Sequence, residues 1–305
     1  MRKQLLCWIS LLALCSLLSQ PLLANAAPLE TDRACSLILS YTKDGMEFGG
    51  EEIRIYRVAQ AFSDGSFTLI DPFASYPVNI YGITSQKEWK DTAGTLTAYI
   101  AANQNQPDRI GKTDKNGNVT FDALDTGLYL VSGVVVENDS GTYIFDDFMV
   151  YLPAFAENGA FDYDVEAKPK CTNYIPKTEY KVLKLWKDEG YAGSRPKNVT
   201  IDILKDNIVQ ETRVLCADNN WSYSFQVSAD DMGKWTVIER DVSDEYTVIV
   251  SENEGIFTVT NTRRITSAIP PKTGDSSAVW YWFMLLGISG SLLIILGIYE
   301  KRKQK

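Results

Sequence analysis

Along most of the chain, apolar and polar residues alternate with a period of two, in short runs separated by turn-forming residues. That is the pattern of β-strands with one buried face. It predicts strands over residues 35–42, 52–59, 66–71, 118–123, 127–136, 142–152 and 161–168. One interruption falls over 85–102, where Trp89, Ala93, Leu96 and Ile100 recur at helical spacing behind Ser85 and Glu88, a capping-box pair. Thr113-Asp114-Lys115-Asn116-Gly117 reads as a turn into the next strand. Residues 171–178 lack the alternation and read as a linker. Seven further strands follow at 179–188, 198–205, 208–216, 221–227, 235–241, 246–250 and 256–262, the density of a small immunoglobulin-like or transthyretin-like sandwich. The expected fold is all-β, with two tandem β-sandwiches at residues 27–170 and 179–263 and a helical insertion in the first.

The two ends follow different rules. Arg2 and Lys3 precede an apolar stretch from Leu5 to Leu18, and Ala24-Asn25-Ala26 places small residues where a leader is cut, so residues 1–26 read as a secretory signal. Val279 to Tyr299 is almost uninterruptedly apolar and would extend about 31 Å as a helix, enough to cross a bilayer. A transmembrane helix is therefore expected over 276–299. Trp280, Tyr281 and Trp282 form an interfacial belt on one side of it. Lys301-Arg302-Lys303 in the tail, residues 300–305, lie on the cytoplasmic side by the positive-inside rule. The body of the chain is expected to be extracellular, at the cell surface.

Composition narrows the function. The 305 residues carry a formal net charge of −9, and the exported body is more acidic than that, because six of the 30 basic residues lie at the extreme ends. Such a surface argues against nucleic acid as a partner. The chain has no histidine, which removes Ser-His-Asp and Cys-His catalysis and imidazole metal sites. No metal-ligand spacing is present and no cofactor is expected. Removal of the leader leaves Cys35, Cys171 and Cys216 of the five cysteines. Cys35 and Cys171 bracket the first sandwich and either pair or remain free thiols; parallel first and last strands would put them at opposite ends.

Three polar residues fall on faces that alternation assigns to the core of the second sandwich. Val182, Lys184 and Trp186 share one face of a strand; Trp235, Val237 and Glu239 share another; Phe257, Val259 and Asn261 share a third. A lone buried lysine or glutamate costs several kcal/mol (roughly 3–5) unless it is paired or neutralised, so the economical arrangement is that the three meet. Burial would then lower the lysine pKa and raise that of the carboxyl. A neutral amine is a nucleophile and a protonated carboxyl can polarise a carboxamide, which leads to an Asn–Lys isopeptide bond with loss of ammonia. Periodicity alone leaves a buried ion pair beside a strand-end asparagine equally open.

The same residues carry a family resemblance. Lys184-Leu-Trp186-Lys-Asp188, Arg195-Pro196, Asn220-Trp221, Trp235-Thr-Val237-Ile-Glu239, Tyr246 and Phe257-Thr-Val-Thr-Asn261-Thr262 resemble, in order and spacing, a Cna B-type domain of Gram-positive surface proteins. The resemblance implies that Lys184 and Asn261 are joined by an isopeptide bond, with Glu239 as the catalytic residue of that single intramolecular reaction. Trp235 stands where the family usually has tyrosine. More loosely, Ile55-Tyr56-Arg57-Val58-Ala59, Thr113-Asp114 and Gly127-Leu-Tyr129-Leu-Val131 are similar to the N-terminal domains of the same surface proteins and pilins. There, no lysine lies on the core face of strand 35–42 and Gly133 stands at the glutamate position, so no bond is expected in the first sandwich.

Residues 264–275 contain Pro270-Pro271-Lys272-Thr273-Gly274-Asp275, which, followed by a span and a basic tail, resembles the sorting signal read by sortases, with Pro270 at the usual leucine position. The resemblance implies cleavage between Thr273 and Gly274 and transfer of the Thr273 carbonyl to an amine of peptidoglycan or of a neighbouring pilin subunit. Phe161-Asp-Tyr163-Asp-Val165-Glu-Ala167-Lys168-Pro169-Lys170 resembles the pilin motif and makes Lys170 the candidate acceptor, the alternative being a solvated lysine beside a linker. The sequence therefore points to a non-enzymatic structural or adhesive surface protein, a pilin subunit or wall-anchored stalk. It would be a sortase substrate facing a host or bacterial surface ligand. The alternative is a permanent single-pass membrane ectodomain acting as a binding receptor.

Overall fold

The structure, a computed structural model, describes residues 29–156, 160–175 and 177–264. The leader, Pro270 to Gly274 and the apolar C-terminal run lie outside the described residues. None of the described helices is long and apolar enough to cross a membrane.

The first sandwich is built from β1 (Cys35–Ser40), β2 (Glu52–Ala61), β3 (Phe67–Leu69), helix α1 (Gln86–Ala102), β4 (Arg109–Lys112), β5 (Asn118–Leu124), β6 (Gly127–Val131), β7 (Val135–Asn138), β8 (Gly141–Phe145), β9 (Phe148–Leu152), β10 (Asp164–Ala167) and β11 (Cys171–Asn173). One sheet runs β10-β1-β5, with β1 and β10 parallel. The larger runs β9-β6-β2-β3, with β4 also on β2, and a small third sheet runs β11-β8-β7. Alternation in β1 sends Leu37 and Leu39 into a core with Ile53, Ile55, Phe121 and Phe145.

Strands β2 and β6 are buried on both faces. Their second face, with Tyr56, Val58, Leu128 and Leu130, meets Ala93, Leu96 and Ile100 of helix α1 in a second apolar cluster. The helix begins as its sequence indicates: Ser85 Oγ accepts from Glu88 N–H and the Glu88 carboxylate accepts from Ser85 N–H, both at 3.2 Å.

The second sandwich comprises β12 (Glu179–Lys187), β13 (Asn198–Lys205), β14 (Ile208–Cys216), β15 (Ser222–Gln226), β16 (Trp235–Arg240), β17 (Tyr246–Asn253) and β18 (Ile256–Arg263). Its sheets are β15-β12-β18-β17 and β14-β13-β16, and its first and last strands, β12 and β18, are parallel neighbours. Between the sheets lies a core of Tyr180, Val182, Ile201, Ile203, Val237, Phe257 and Val259.

Three expectations need revision. Residues 127–136 form two strands, because Gly133 presses against another strand: a Cβ there would stand 2.3 Å from the Phe145 carbonyl oxygen. Residues 142–152 also break, at Asp146-Asp147, and the Asp147 carboxylate turns inward to accept from Gly133 N–H at 2.8 Å and the Thr97 hydroxyl at 3.0 Å. The stretch 171–178 is not wholly linker, since Cys171–Asn173 pairs with β8 as an edge strand of the first sandwich. Cys35 is buried at the start of β1 and Cys171 lies beyond the end of its parallel neighbour β10; both are free thiols.

Gly133→Ala should overpack this turn. We expect a loss of about 2–3 kcal/mol, read as a lower midpoint in denaturant unfolding.

Candidate functional site

The inward positions of three strands converge in the second sandwich. In β12, Tyr180, Val182 and Lys184 are buried while Lys181 and Leu185 face outward. In β18 the buried set is Phe257, Val259 and Asn261. Parallel pairing sets Lys184 opposite Val259 and Trp186 opposite Asn261, so Lys184 and Asn261 are diagonal neighbours on one face. Across the core, β16 sends Val237 and Glu239 inward.

The three side chains meet. Asn261 Nδ2 donates to Glu239 Oε1 at 2.9 Å, and Lys184 Nζ lies 3.6 Å from Glu239 Oε2, with both charged side chains 3% exposed or less. Lys184 Nζ also donates to the carbonyls of Leu185 at 2.9 Å and Val259 at 3.3 Å, and sits 3.9 Å from the centre of the Trp186 ring. Glu239 Oε2 and Asn261 Oδ1 are enclosed and accept no hydrogen bond. Burial brings the lysine down to about 8, against a smaller opposing effect of the Glu239 charge. It raises the Glu239 carboxyl, with Lys184 and the Asn261 amide pulling the other way.

A second cluster closes the end of the sandwich above the lysine. Asp188, nearly fully buried, accepts two bonds from Arg195, at 2.9 and 2.5 Å, and one from the Tyr246 hydroxyl at 3.2 Å. The Trp186 ring packs edge-on to Trp221 and Tyr246. The cluster keeps water from the lysine while its own charges are paired, as burial of Asp188 requires.

Two chemistries are open to this arrangement. With the proton on the lysine it is a buried ion pair. With the proton on the carboxyl it presents a neutral amine and an acid to a carboxamide. In the neutral amine both N–H groups are taken by the Leu185 and Val259 carbonyls, which leaves the lone pair uncommitted.

Of the other residues singled out from the sequence, Lys170 is exposed between β10 and β11. Phe161, Tyr163, Val165 and Ala167 before it are at least partly buried, in the alternation expected. Pro270, Pro271, Lys272, Thr273 and Gly274 fall outside the described residues. Sequence reasoning missed Tyr99, whose hydroxyl donates to the Glu239 backbone carbonyl at 2.7 Å. A signal was present: from Thr92 to Pro107 the chain carries no charge, and a helix without a charged face is buried all round.

A β-sandwich whose parallel first and last strands carry an enclosed Lys–Asn pair beside a buried glutamate defines the class of domain. Residues 180–262 match the family model of the Cna protein B-type domain. No curated protein matches the chain. Among solved structures, it is similar to a single B repeat unit of the collagen-binding surface protein CNA of Staphylococcus aureus, at 14% identity over 76% of this chain and 99% of that one, with a TM-score of 0.26. It is also similar to the full-length major pilin SpaD of Corynebacterium diphtheriae, at 11% identity over 78% and 100%, TM-score 0.31. A third is the minor pilin GBS52 of Streptococcus agalactiae, at 15% identity over 77% and 99%, TM-score 0.24.

The Asp188 carboxyl is held below its ordinary value first by hydrogen bonds from Arg195 and then by the Tyr246 hydroxyl. A lowered folded-state value means that this stabilisation is complete above the unfolded carboxyl's pKa and is lost as pH falls through the folded one. Asp188→Asn should therefore cost about 1.5–3 kcal/mol at neutral pH. It should also flatten that part of the fall in melting temperature between about pH 5 and pH 2, measured by thermal melts across the range.

Proposed function

We propose that the chain is a surface structural protein, a pilin subunit or wall-linked stalk, whose second sandwich closes an amide between Lys184 and Asn261 with Glu239 as catalyst. The observation that carries this reading is the meeting of a lysine, a glutamate and an asparagine in one enclosed volume on the first, last and facing strands. The family match over 180–262 supports it.

The chemistry follows from the environment. Burial disfavours both charges, so the proton moves from Lys184 to Glu239 at little cost. A half-turn of the Asn261 amide then places Oδ1, now without a donor, against the protonated carboxyl. The acid polarises the carbonyl and the amine attacks Cγ. Glu239 shuttles the proton to the departing nitrogen, and ammonia leaves. One N–C bond forms, one breaks, and Glu239 ends as it began. Proximity built by the fold replaces an external catalyst, and no turnover follows because the substrate is the domain itself.

The finished bond would close a loop of about 80 residues. If it restricts the unfolded chain as a disulfide does, it contributes about 4–5 kcal/mol. Sortase processing between Thr273 and Gly274 would then pass the chain to peptidoglycan or, through Lys170, to the next subunit. The exposure of Lys170 at the edge of the first sandwich supports the second route.

Intact-mass measurement on the full chain tests the bond. Wild type should be lighter than its sequence by one ammonia and Glu239→Ala should retain full mass; equal full masses would leave a buried ion pair only. The reaction needs the Lys184–Glu239 pair to hold a single proton. Bond formation should therefore slow above a pH of about 8, where the last proton leaves. It should also slow in acid, once the carboxyl is protonated while the lysine remains charged.

Processing has its own test. Peptides from the mature surface product should end at Thr273, joined to peptidoglycan or to a Lys170-containing peptide. Recovery of residues 276–299 in that product would favour the permanent membrane ectodomain.

A further inference from the structure

Both strands that flank the open side of the second sandwich are edges: β16 has a ladder partner only in β13, and β17 only in β18. An unpaired edge exposes backbone groups that must find partners when covered. Here the first sandwich supplies them. Val248 N–H donates to the Pro77 carbonyl at 2.6 Å. Val250 N–H donates to Thr95 Oγ1 at 2.9 Å, and the Tyr99 hydroxyl donates to the Glu239 carbonyl at 2.7 Å. Ile238, on the face of β16 opposite Glu239, is fully enclosed with Leu204 in the cluster of Leu96, Ile100 and Tyr99. Helix α1 thus lies between the two sandwiches and serves as a wall of each.

The contact reaches the reactive group itself. Tyr99 holds the backbone of Glu239, the one member of the triad on an edge strand. A cleft of about 290 Å³ runs along this seam, lined among others by Tyr76, Tyr99, Glu239 and Tyr246. Solvent therefore approaches as far as Tyr99, yet the Glu239 side chain stays 3% exposed.

We infer that Tyr99 is a positioning residue for the cross-linking reaction, and that docking of helix α1 from the first sandwich gates bond closure in the second. The inference rests on the isopeptide reading proposed above. Its consequence is an order of events: the amide forms only after both sandwiches are folded and joined, so that an irreversible bond is not set in a half-assembled chain.

The test follows cross-link formation in the full chain by intact mass, as ammonia loss against time after synthesis. Tyr99→Phe keeps the ring and removes only the hydroxyl. It should slow closure about three- to tenfold, the range that a lost buried hydrogen bond covers. Thr95→Val, which removes the bond to β17 without changing size, should slow it less.

Tyr163→Phe is the control, since it deletes a buried hydroxyl that bonds Glu30, far from the seam. Melting temperatures compared in a Glu239→Gln background separate stability from positioning. The two tyrosine variants should melt alike while only Tyr99→Phe closes slowly. Closure at the wild-type rate in Tyr99→Phe, or equal slowing in both, would overturn the gating role and leave the bond intact as a reading. A wild-type chain that never loses ammonia would instead remove the bond, and the gate with it.

Discussion

An amine, a carboxyl and a carboxamide share one enclosed volume between the sheets of the second sandwich, and the cost of desolvating them sets the terms for the residues around them. A charged lysine there needs hydrogen-bond acceptors that the apolar side chains of Val182, Val237 and Val259 do not offer. The chain meets the need with backbone, through the carbonyls of Leu185 and Val259, and with the Trp186 ring. It then stops short of satisfying the site: Glu239 Oε2 and Asn261 Oδ1 are left as unpaired acceptors. In a purely structural ion pair such gaps are a defect. In a site that moves a proton onto the carboxyl, they are the two atoms that the proton would join.

Enclosure is maintained by one cluster anchored close to Lys184 in sequence and by one helix far from it. The Asp188–Arg195–Tyr246 cluster seals one end, and helix α1 seals the seam between β16 and β17. The helix is the more demanding solution, because a structure buried all round has to satisfy its own polar side chains. Thr95 does so by bonding both the Asp91 carbonyl within the helix and the backbone of Val250 outside it. Thr97 does so through Asp147, whose carboxylate also pairs with Lys234 of the second sandwich. Thr95 and Thr97 are thus each committed to a contact with another layer, and the two sandwiches share one polar network across the helix.

Much of this was legible in the sequence, for identifiable reasons. Alternation fixes which side of a strand faces the core, so the residue pattern alone puts Lys184, Glu239 and Asn261 on inner faces, and the helix start is written in Ser85 and Glu88. What alternation cannot express is which element covers an edge. Leu204 and Ile238 were invisible as interdomain contacts because their partners lie in a helix more than a hundred residues earlier. The breaks at Gly133 and Asp146-Asp147 were hidden for a related reason: a close backbone approach leaves no mark in apolar periodicity. Cys171–Asn173 lacks an apolar face and read as linker, yet an edge strand needs only backbone pairing.

The topology also decides where a pulling force would travel. In the second sandwich the first strand lies parallel to the last, β12 with β18, so tension applied at the ends of that sandwich loads this pair in shear. Once the proposed amide joins Lys184 to Asn261, force entering β12 crosses directly to β18, and the chain between them carries none. Helix α1 docks on β16 and β17, which lie inside that bypassed stretch, so the contact between the sandwiches is spared as well. No such bypass is expected in the first sandwich. At the place where a second glutamate would sit, Gly133 is pressed against the Phe145 carbonyl and leaves no room for a side chain. The tight turn that organises Asp147, and through it the helix and Lys234, is therefore incompatible with a second cross-linking site at that position. The geometry that builds the joint between the sandwiches thus leaves no room for a glutamate at Gly133, whereas the second sandwich holds Lys184, Glu239 and Asn261 together.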